Sequence, residues 1–214
     1  MTVISRSFSA GDLVGGHAAL DLVNTVTARN TPVPRDWLDG YPRLLEWARL
    51  AQLVEDKTLN LLERQAARSA EGAEGALMRF KQFREALYAA YSALIAGTRM
   101  PPVTLEQIDN VWHEAHSRSR LECSAGHVVS QLAVERSGLD LIRDGLADRA
   151  VELLRSLPNE RARMCRGEAC GWLFIDSSKG GQRVWCDMAV CGNVAKTRRH
   201  QQSVKSRVRQ ASSR

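Results

Sequence analysis

The sequence Cys165-Arg-Gly-Glu-Ala-Cys170, followed after fifteen residues by Cys186-Asp-Met-Ala-Val-Cys191, decides the fold of the C-terminal part of this chain. Zinc binds four thiolates at the corners of a tetrahedron, and a short loop between two cysteines places both thiolates along one edge. Two such pairs at this separation are typical of four-cysteine zinc sites. We therefore expect one structural Zn²⁺ ion, held by Cys165, Cys170, Cys186 and Cys191.

Two disulfides would use the same four cysteines. The first residues contain no apolar run long enough for a secretory signal, and paired cysteines in a reducing compartment favour a metal. No stretch approaches the roughly twenty apolar residues of a membrane helix. We therefore expect a cytoplasmic protein without a membrane partner. The fifth cysteine, Cys123, is expected to be a packed thiol, because four ligands already complete the zinc site.

The segment between the two cysteine pairs predicts a β-hairpin. Residues 172–176 are rich in aromatic and apolar side chains and form the first predicted strand. Residues 177–182 are typical of a turn, and residues 183–185 are predicted to form the return strand. This hairpin would bring the two ligand pairs together.

The net charge of +6 is unevenly distributed along the chain. Residues 161–214 contain 12 Lys and Arg against 3 Asp and Glu, a balance of +9. Residues 1–160 contain the other 18 Lys and Arg and 21 Asp and Glu, a balance of −3. A basic segment attached to a near-neutral body indicates a module that binds a polyanion.

A basic helix is predicted after Cys191, with Asn193 as its N-cap. Its apolar stripe is thin, and its candidate phosphate-binding residues are Lys196, Arg198, Arg199, Lys205 and Arg207. Cations that neutralise phosphates release counterions, so such a helix is suited to nucleic acid. Duplex DNA is the first hypothesis for the partner, and the composition does not separate it from RNA. An RNA-binding module and a solvated tail that contacts nothing are the alternatives, and there is no aromatic platform that would argue for single strands.

Helical periodicity dominates residues 1–158. Apolar residues recur at three- and four-residue intervals in residues 13–26, 41–50, 53–70, 76–95 and 138–157, and in a further helix opening at Thr104. Residues 69–75 predict a break or a helix cap, and Gly97 predicts the end of the long helix. Residues 119–135 alternate around a turn at residues 124–126 and predict a β-hairpin outside the helical body.

The predicted fold class is therefore mostly α. A helical N-terminal domain with a small β-hairpin, residues 1–158, precedes a treble-clef-like zinc finger, residues 159–214. The finger is expected to consist of a knuckle, a hairpin, a second knuckle and the basic helix. No Ser-His-Asp or phosphate-loop pattern is present, and four thiolates leave zinc no open position for water. We therefore expect no catalytic residues and no enzyme activity.

Asp21 and Asn24 are three residues apart in the first helical segment, so their side chains share a face. They form a small polar ligand site, or they cap or bridge neighbouring segments, because both side-chain types readily bond local backbone. Spacing alone favours capping or bridging.

The C-terminal stretch resembles the CGNR zinc finger, which is named for a Cys-Gly-Asn-Arg motif at the last ligand pair. The motif stands here as Cys191-Gly192-Asn193-Val194, with valine in place of the usual arginine. Residues 171–176 and 185–191 also fit this finger. Residues 19–25, followed by Asp36 and Trp47, are similar to the ABATE domain that usually precedes it.

This resemblance implies a stress-induced transcription regulator of bacteria. Its zinc finger would bind nucleic acid, and its N-terminal domain would act through a small-molecule effector or a homodimer interface. Because Asp21 and Asn24 match the N-terminal motif of the family, the resemblance makes a ligand-binding role as well supported as capping or bridging. The valine at position 194 concerns base or phosphate contact and leaves zinc ligation unaffected.

Overall fold

A computed structural model of the chain describes residues 7–124, 126–157 and 161–211. Within these residues the helices are α1 (Ala18–Val23), α2 (Tyr41–Leu50), α3 (Asp56–Arg68), α4 (Ala70–Ala96), α5 (Pro102–Arg118), α6 (Val134–Ser137), α7 (Leu141–Ser156) and α8 (Asn193–Ala211). The strands form antiparallel pairs: β1 (Val26–Thr27) with β2 (Arg35–Asp36), β3 (Arg120–Ser124) with β4 (His127–Gln131), and β5 (Ala162–Met164) with β6 (Leu173–Ile175). The mostly helical fold class is confirmed. Among the described residues, no helix combines the length and the apolar character needed to span a membrane.

The long helix α4 is the centre of the helical body. It contacts α1, α2, α3, α5 and α7, and its buried side chains include Phe80 and Tyr91. The ring of Phe80 packs edge-on against that of Trp47 in α2, at a centroid distance of 6.0 Å. Burying a large apolar side chain contributes about 1.5–3 kcal/mol, so this core holds the surrounding helices in place.

Of the break or cap predicted at residues 69–75, the cap is confirmed at Ser69, and the helix continues without a break through residues 70–75. The helix begins at Ala70, because the hydroxyl of Ser69 caps it by accepting a hydrogen bond from the backbone N–H of Gly72 at 3.1 Å. The side chain of Ala73 is buried, and such packing offsets the cost of about 1 kcal/mol that a glycine brings to a helix interior.

Other helix boundaries also differ from the prediction. Of the helix predicted at residues 13–26, only α1 is formed, and the helix predicted at residues 53–70 is the shorter α3. The helix predicted from Thr104 begins at Pro102, because proline suits the first turn of a helix. The helix predicted from residue 138 begins as a 3₁₀ turn before α7. Gly97 ends α4 in the left-handed conformation, as predicted, with φ of 64°.

The hairpin predicted near residues 119–135 is confirmed as β3 and β4, and every residue of β4 is exposed. Cys123 lies on β3, and its thiol is free and exposed. The prediction of a packed thiol is therefore wrong, because this hairpin does not pack into the core.

The strand predicted at residues 183–185 is not formed, and β6 pairs with β5 instead. Leu173 is opposite Met164 and Ile175 is opposite Ala162, so the first cysteine pair lies in the loop of this hairpin. The carboxylate of Asp176 accepts a hydrogen bond from the backbone N–H of Arg183 at 2.8 Å, which ties this segment to the loop after β6. The pattern of residues 183–185 indicated a strand, but their backbone hydrogen bonds are those of a loop.

The zinc module (residues 161–211) packs directly against the helical body, which the described residues up to 157 form. Leu173 is fully buried in the main hydrophobic core, and Met164 and Ile175 pack against that core. The backbone N–H of Ile175 donates to the carbonyl of Gly15 at 2.9 Å, and the indole N–H of Trp172 donates to the carbonyl of Val26 at 2.8 Å. The two predicted domains therefore share one core.

Gly171 lies at the closest approach between the module and the body. Its φ of 75° is in the left-handed region, and a Cβ at this position would lie 2.9 Å from Arg29 Cβ and from Asn30 Oδ1. The carbonyl of Gly171 accepts a hydrogen bond from the hydroxyl of Tyr88 at 2.9 Å. A residue without a side chain is needed here, because any Cβ would push the two surfaces apart.

Candidate metal centre and nucleic-acid interface

The four predicted zinc ligands form one cluster. The sulfur atoms of Cys165, Cys170, Cys186 and Cys191 all lie within 4.8 Å of one another. The Sγ of Cys186 is 3.6 Å from that of Cys170 and 3.6 Å from that of Cys191. A tetrahedral zinc ion with Zn–S bonds of about 2.3 Å separates its sulfur ligands by about 3.8 Å. The cluster therefore has the dimensions of a structural zinc site, and none of its cysteines forms a disulfide.

Backbone groups around Cys165 favour its thiolate. Its Sγ accepts hydrogen bonds from the N–H of Cys186 at 3.3 Å and from the N–H of Gly167 at 3.4 Å. The thiol of Cys170, then that of Cys186, and these two N–H groups lower the pKa of Cys165. A Cβ on Gly167 would lie 3.1 Å from the Sγ of Cys191, so the first knuckle passes close to the second ligand pair. Four thiols around one point, with N–H donors aimed at sulfur, fit a zinc ion.

Arg183 holds the backbone at the start of the second cysteine pair through hydrogen bonds. Its guanidinium lies 4.4 Å from the centroid of the Phe174 ring. It also donates to the carbonyls of Trp185 and Cys186. Phe174 is fully buried, and the half-buried Trp185 packs against the same small cluster. Cys165 and Cys186, which belong to this cluster, are buried, whereas Cys170 and Cys191 are partly exposed.

The N-cap of the turn that carries Cys191 is Asp187, whose carboxylate accepts a hydrogen bond from the N–H of Val190 at 2.9 Å. Asn193 was predicted as the cap, but it is the first residue of α8, and its side-chain amide donates to the carbonyl of Ala189 at 2.9 Å. The prediction fails because a wide helical turn, Met188–Gly192, precedes α8. The last zinc ligand thus lies inside a turn that runs directly into the basic helix.

The first turns of α8 present three exposed cations, Lys196, Arg198 and Arg199. Arg198 forms an ion pair with Glu168 of the first knuckle, and the Glu168 side chain is 79% exposed. Lys196 and Arg199 make no side-chain hydrogen bond or ion pair with the described residues. Lys205 and Arg207 also lie in α8, but their side chains are outside the described part of the chain.

Asn24 joins the helical body to the zinc module. Its side-chain amide donates to the carbonyl of Leu173 at 2.8 Å and accepts from the N–H of the same residue at 2.9 Å. The side chain of Asn24 therefore pairs with the backbone of β6 as a neighbouring strand would. This is the bridging role that the sequence left open for Asn24. Asp21 accepts a hydrogen bond from the N–H of Gly15 at 2.8 Å. Burial raises the pKa of Asp21 to about 6, against the lowering effect of that hydrogen bond.

A cavity of about 560 Å³ lies between the helical body and the zinc module. Asp21 and Asn24 line it from the body, and Glu168 and Cys170 line it from the first knuckle. Arg198 and Arg199 line it together with Val194 and Ala195 from α8. This size is within the range of small-molecule sites, about 300–1,000 Å³.

Two family models match the chain. Residues 16–157 match ABATE, described as "putative stress-induced transcription regulator", and residues 161–203 match the CGNR zinc finger. The chain belongs to the ABATE family. Neither match is to an enzyme family, and a search of the curated proteins found no match. The predicted order of an ABATE region followed by a CGNR zinc finger is confirmed.

In this ABATE protein, Val194 takes the position of the motif arginine. Its side chain is 53% exposed on the first turn of α8, where it adjoins the cavity. Gly192 of the same motif is buried, and a Cβ on it would lie 3.2 Å from the Trp185 ring. The valine therefore leaves this part of the α8 surface without the positive charge that the motif arginine would supply.

Several residues that hold the zinc module of this ABATE protein in place could not be identified from the sequence. The guanidinium of Arg29 stacks on the Tyr88 ring at 3.8 Å and pairs with Glu85 at 2.8 Å. The backbone N–H of Arg29 donates to the carbonyl of Cys170 at 3.1 Å. The one signal in the sequence was Gly171, because a glycine directly after a zinc ligand indicates a close approach of another chain segment.

Proposed function

We propose that this protein is a DNA-binding transcription regulator whose contacts with DNA are made by α8. One observation carries the proposal. The zinc ligand Cys191 leads within five residues into a helix whose first turns expose Lys196, Arg198 and Arg199. Lysine and arginine side chains supply the phosphate contacts that dominate nucleic-acid affinity. Lys205 and Arg207, further along the same helix, would extend this surface.

The zinc ion has a structural role in this proposal. Four thiolates fill a tetrahedral site and leave no position for water or substrate, so the metal would fix the direction of α8. Docking of the module on the helical body through Asn24 and Trp172 would hold that direction relative to the rest of the protein.

The helical body would regulate the helix through a small-molecule effector. Asp21 and Asn24 support this part of the proposal, because both line the cavity that α8 also borders. Because the two side chains also make hydrogen bonds to Gly15 and Leu173, they would shape the cavity as well as contact the effector directly.

The test is binding of the zinc-loaded full chain to duplex DNA from a random-sequence library, measured across a range of salt concentrations. We expect affinity to fall steeply with salt, with a log–log slope of about −0.9 for each phosphate neutralised. Neutralising Lys196, Arg198 and Arg199 together should reduce the magnitude of that slope by about 3.

The matched control removes Arg64, Arg68 and Arg99. These three arginines are also exposed and belong to the helical body, so the change in net charge is the same. If both triple variants lost affinity equally, α8 would not be the contact surface. Tighter binding to structured RNA than to any selected duplex would replace DNA by RNA as the partner.

A further inference from the structure

The apolar part of the cavity is built from aromatic rings. Its lining includes Phe8 and four of the five tryptophans, which are Trp37, Trp47, Trp172 and Trp185. The indole N–H of Trp37 donates to Thr27 Oγ1 at 3.0 Å, and that of Trp172 donates to a backbone carbonyl. Because hydrogen bonds within the protein already satisfy these polar edges, the rings offer the cavity mainly apolar surface. Such a lining selects a ligand with an aromatic or other flat apolar body.

The carboxylates that line the cavity already have hydrogen-bond donors. Asp12 accepts from the N–H of Ser9 at 2.8 Å, and Glu168 pairs with Arg198. Asp21 and Asp187 accept from the backbone N–H groups described above. A bound cation would have to compete with these donors.

The lining arginines are less satisfied than the carboxylates. The side chains of Arg166 and Arg199 make no hydrogen bond or ion pair with the described residues, and Arg198 is held only by the exposed Glu168. A guanidinium binds an anionic oxygen with a charge-assisted hydrogen bond, frequently through two N–H groups. Among the described residues, the lining holds four carboxylates and three arginines, so the unpaired guanidinium groups of Arg166 and Arg199, rather than the net charge of the cavity, provide partners for an anionic ligand.

We infer that this cavity binds a small molecule with an aromatic body and one anionic group, and that ligand and nucleic acid compete for Arg198 and Arg199. The competition rests on the proposed function, whereas the ligand site does not. The two arginines lie on the border between the cavity and the exposed face of α8. A ligand that draws their guanidinium groups into the cavity removes two phosphate contacts from the helix.

The test uses two fluorescent probes of nearly the same shape. One is 8-anilino-1-naphthalenesulfonate, which has an aromatic body and a sulfonate, and the other is N-phenyl-1-naphthylamine, which lacks the sulfonate. We expect the zinc-loaded full chain to bind the sulfonate probe at least about tenfold more tightly, the gain of a charge-assisted hydrogen bond. Quenching of the lining tryptophans should accompany binding.

Three variants separate the contributions. Arg166→Ala should weaken binding of the sulfonate probe about tenfold and leave the neutral probe unchanged, whereas Arg64→Ala, which removes an exposed arginine outside this cavity, should change neither. Ala195→Trp should fill the space and abolish binding of both probes while keeping every charge. Circular dichroism and one zinc per chain establish that each variant is folded.

Equal binding of the two probes, or binding that Ala195→Trp leaves intact, would overturn the ligand site. If the site is confirmed, saturating sulfonate probe should reduce nucleic-acid affinity about fivefold or more, a typical coupling between two sites. Unchanged nucleic-acid affinity would overturn the competition. A chain that binds the probe as expected but binds no nucleic acid would keep the ligand site and refute the proposed function and, with it, the competition.

Discussion

Asn24 is the residue on which the docking of the zinc module depends most directly. Its side chain is 2% exposed and pairs with both backbone groups of Leu173, which is itself fully buried. A buried backbone N–H or carbonyl that loses its partner costs about 1–3 kcal/mol. Because Asn24 satisfies two such groups at once, its removal leaves both unpaired.

We predict that Asn24→Ala lowers the free energy of unfolding by about 3 kcal/mol, as measured by urea denaturation of the zinc-loaded chain. Asn60→Ala is the control, because Asn60 lies exposed on α3 and its truncation should change stability by less than about 0.5 kcal/mol. Similar small effects of both substitutions would show that the Leu173 pairing contributes little.

Asp21 gives a prediction about pH. Burial raises its pKa from 3.8 to about 6, so between these values the folded chain holds a proton that the unfolded chain has lost. Stability from this group is complete below pH 3.8 and is lost as the pH rises through about 6. Between pH 5 and pH 7.5 the loss amounts to about 1 kcal/mol.

The substitution Asp21→Asn keeps an oxygen for the N–H of Gly15 and removes the titration. We expect the variant to lose less stability than the parent chain between pH 5 and pH 7.5, by about 1 kcal/mol in zinc-supplemented urea titrations. Parallel pH profiles for the two proteins would show that Asp21 does not titrate in this range.

The zinc ligands could be found from the sequence, whereas the partner of Asn24 could not. Cysteine spacing is a local pattern that reports the geometry of the metal directly. The bond from Asn24 to Leu173 spans 149 residues and forms only when α1 meets β6. For Asp21 and Asn24 the sequence therefore offered capping, bridging or ligand binding without deciding among them.

At the scale of elements, helices with strong apolar periodicity and the hairpin of β3 and β4 were predicted well, whereas the partner of β6 was not. The stripe of α4 is visible in the sequence, but its first turn depends on the cap at Ser69. The pairing of β5 with β6 had no sequence signal, because β5 has only three residues and precedes the first zinc ligand. Metal ligation and the shared core, rather than strand propensity, position these strands.

The basic surface of α8 leads to a prediction about Val194. This half-exposed residue occupies the position of the motif arginine, on the turn that carries Lys196 and Arg198. Val194→Arg adds one cation there and should strengthen binding to duplex DNA, with the magnitude of the salt slope increasing by about 1. Val194→Gln, which adds length without charge, is the control. If both variants bound DNA alike, length rather than charge at position 194 would decide affinity.

For the whole molecule, the shared core makes the zinc ion important beyond its own module. Leu173 lies in the main cluster, and Ala162, Met164 and Ile175 pack against it. When zinc leaves, the loop between β5 and β6 loses the bonds that close it, since metal affinity in such modules is folding free energy of about 10–16 kcal/mol. The helical body would then lose the partners of Asn24 and part of its apolar cover.

We therefore predict that Cys186→Ser removes zinc and lowers the thermal midpoint of the helical signal at 222 nm. The chain supplies its own control, because Cys123 is a free, exposed cysteine outside the cluster. Cys123→Ser should keep one zinc per chain, measured by a chromogenic chelator, and should melt like the parent protein. If Cys186→Ser lost its zinc but the helices melted at the parent temperature, the helical body would be stable without the module, and the shared core would be energetically unimportant. A lowered midpoint in Cys186→Ser alone would show that the metal, α8 and the helical body form one cooperative unit.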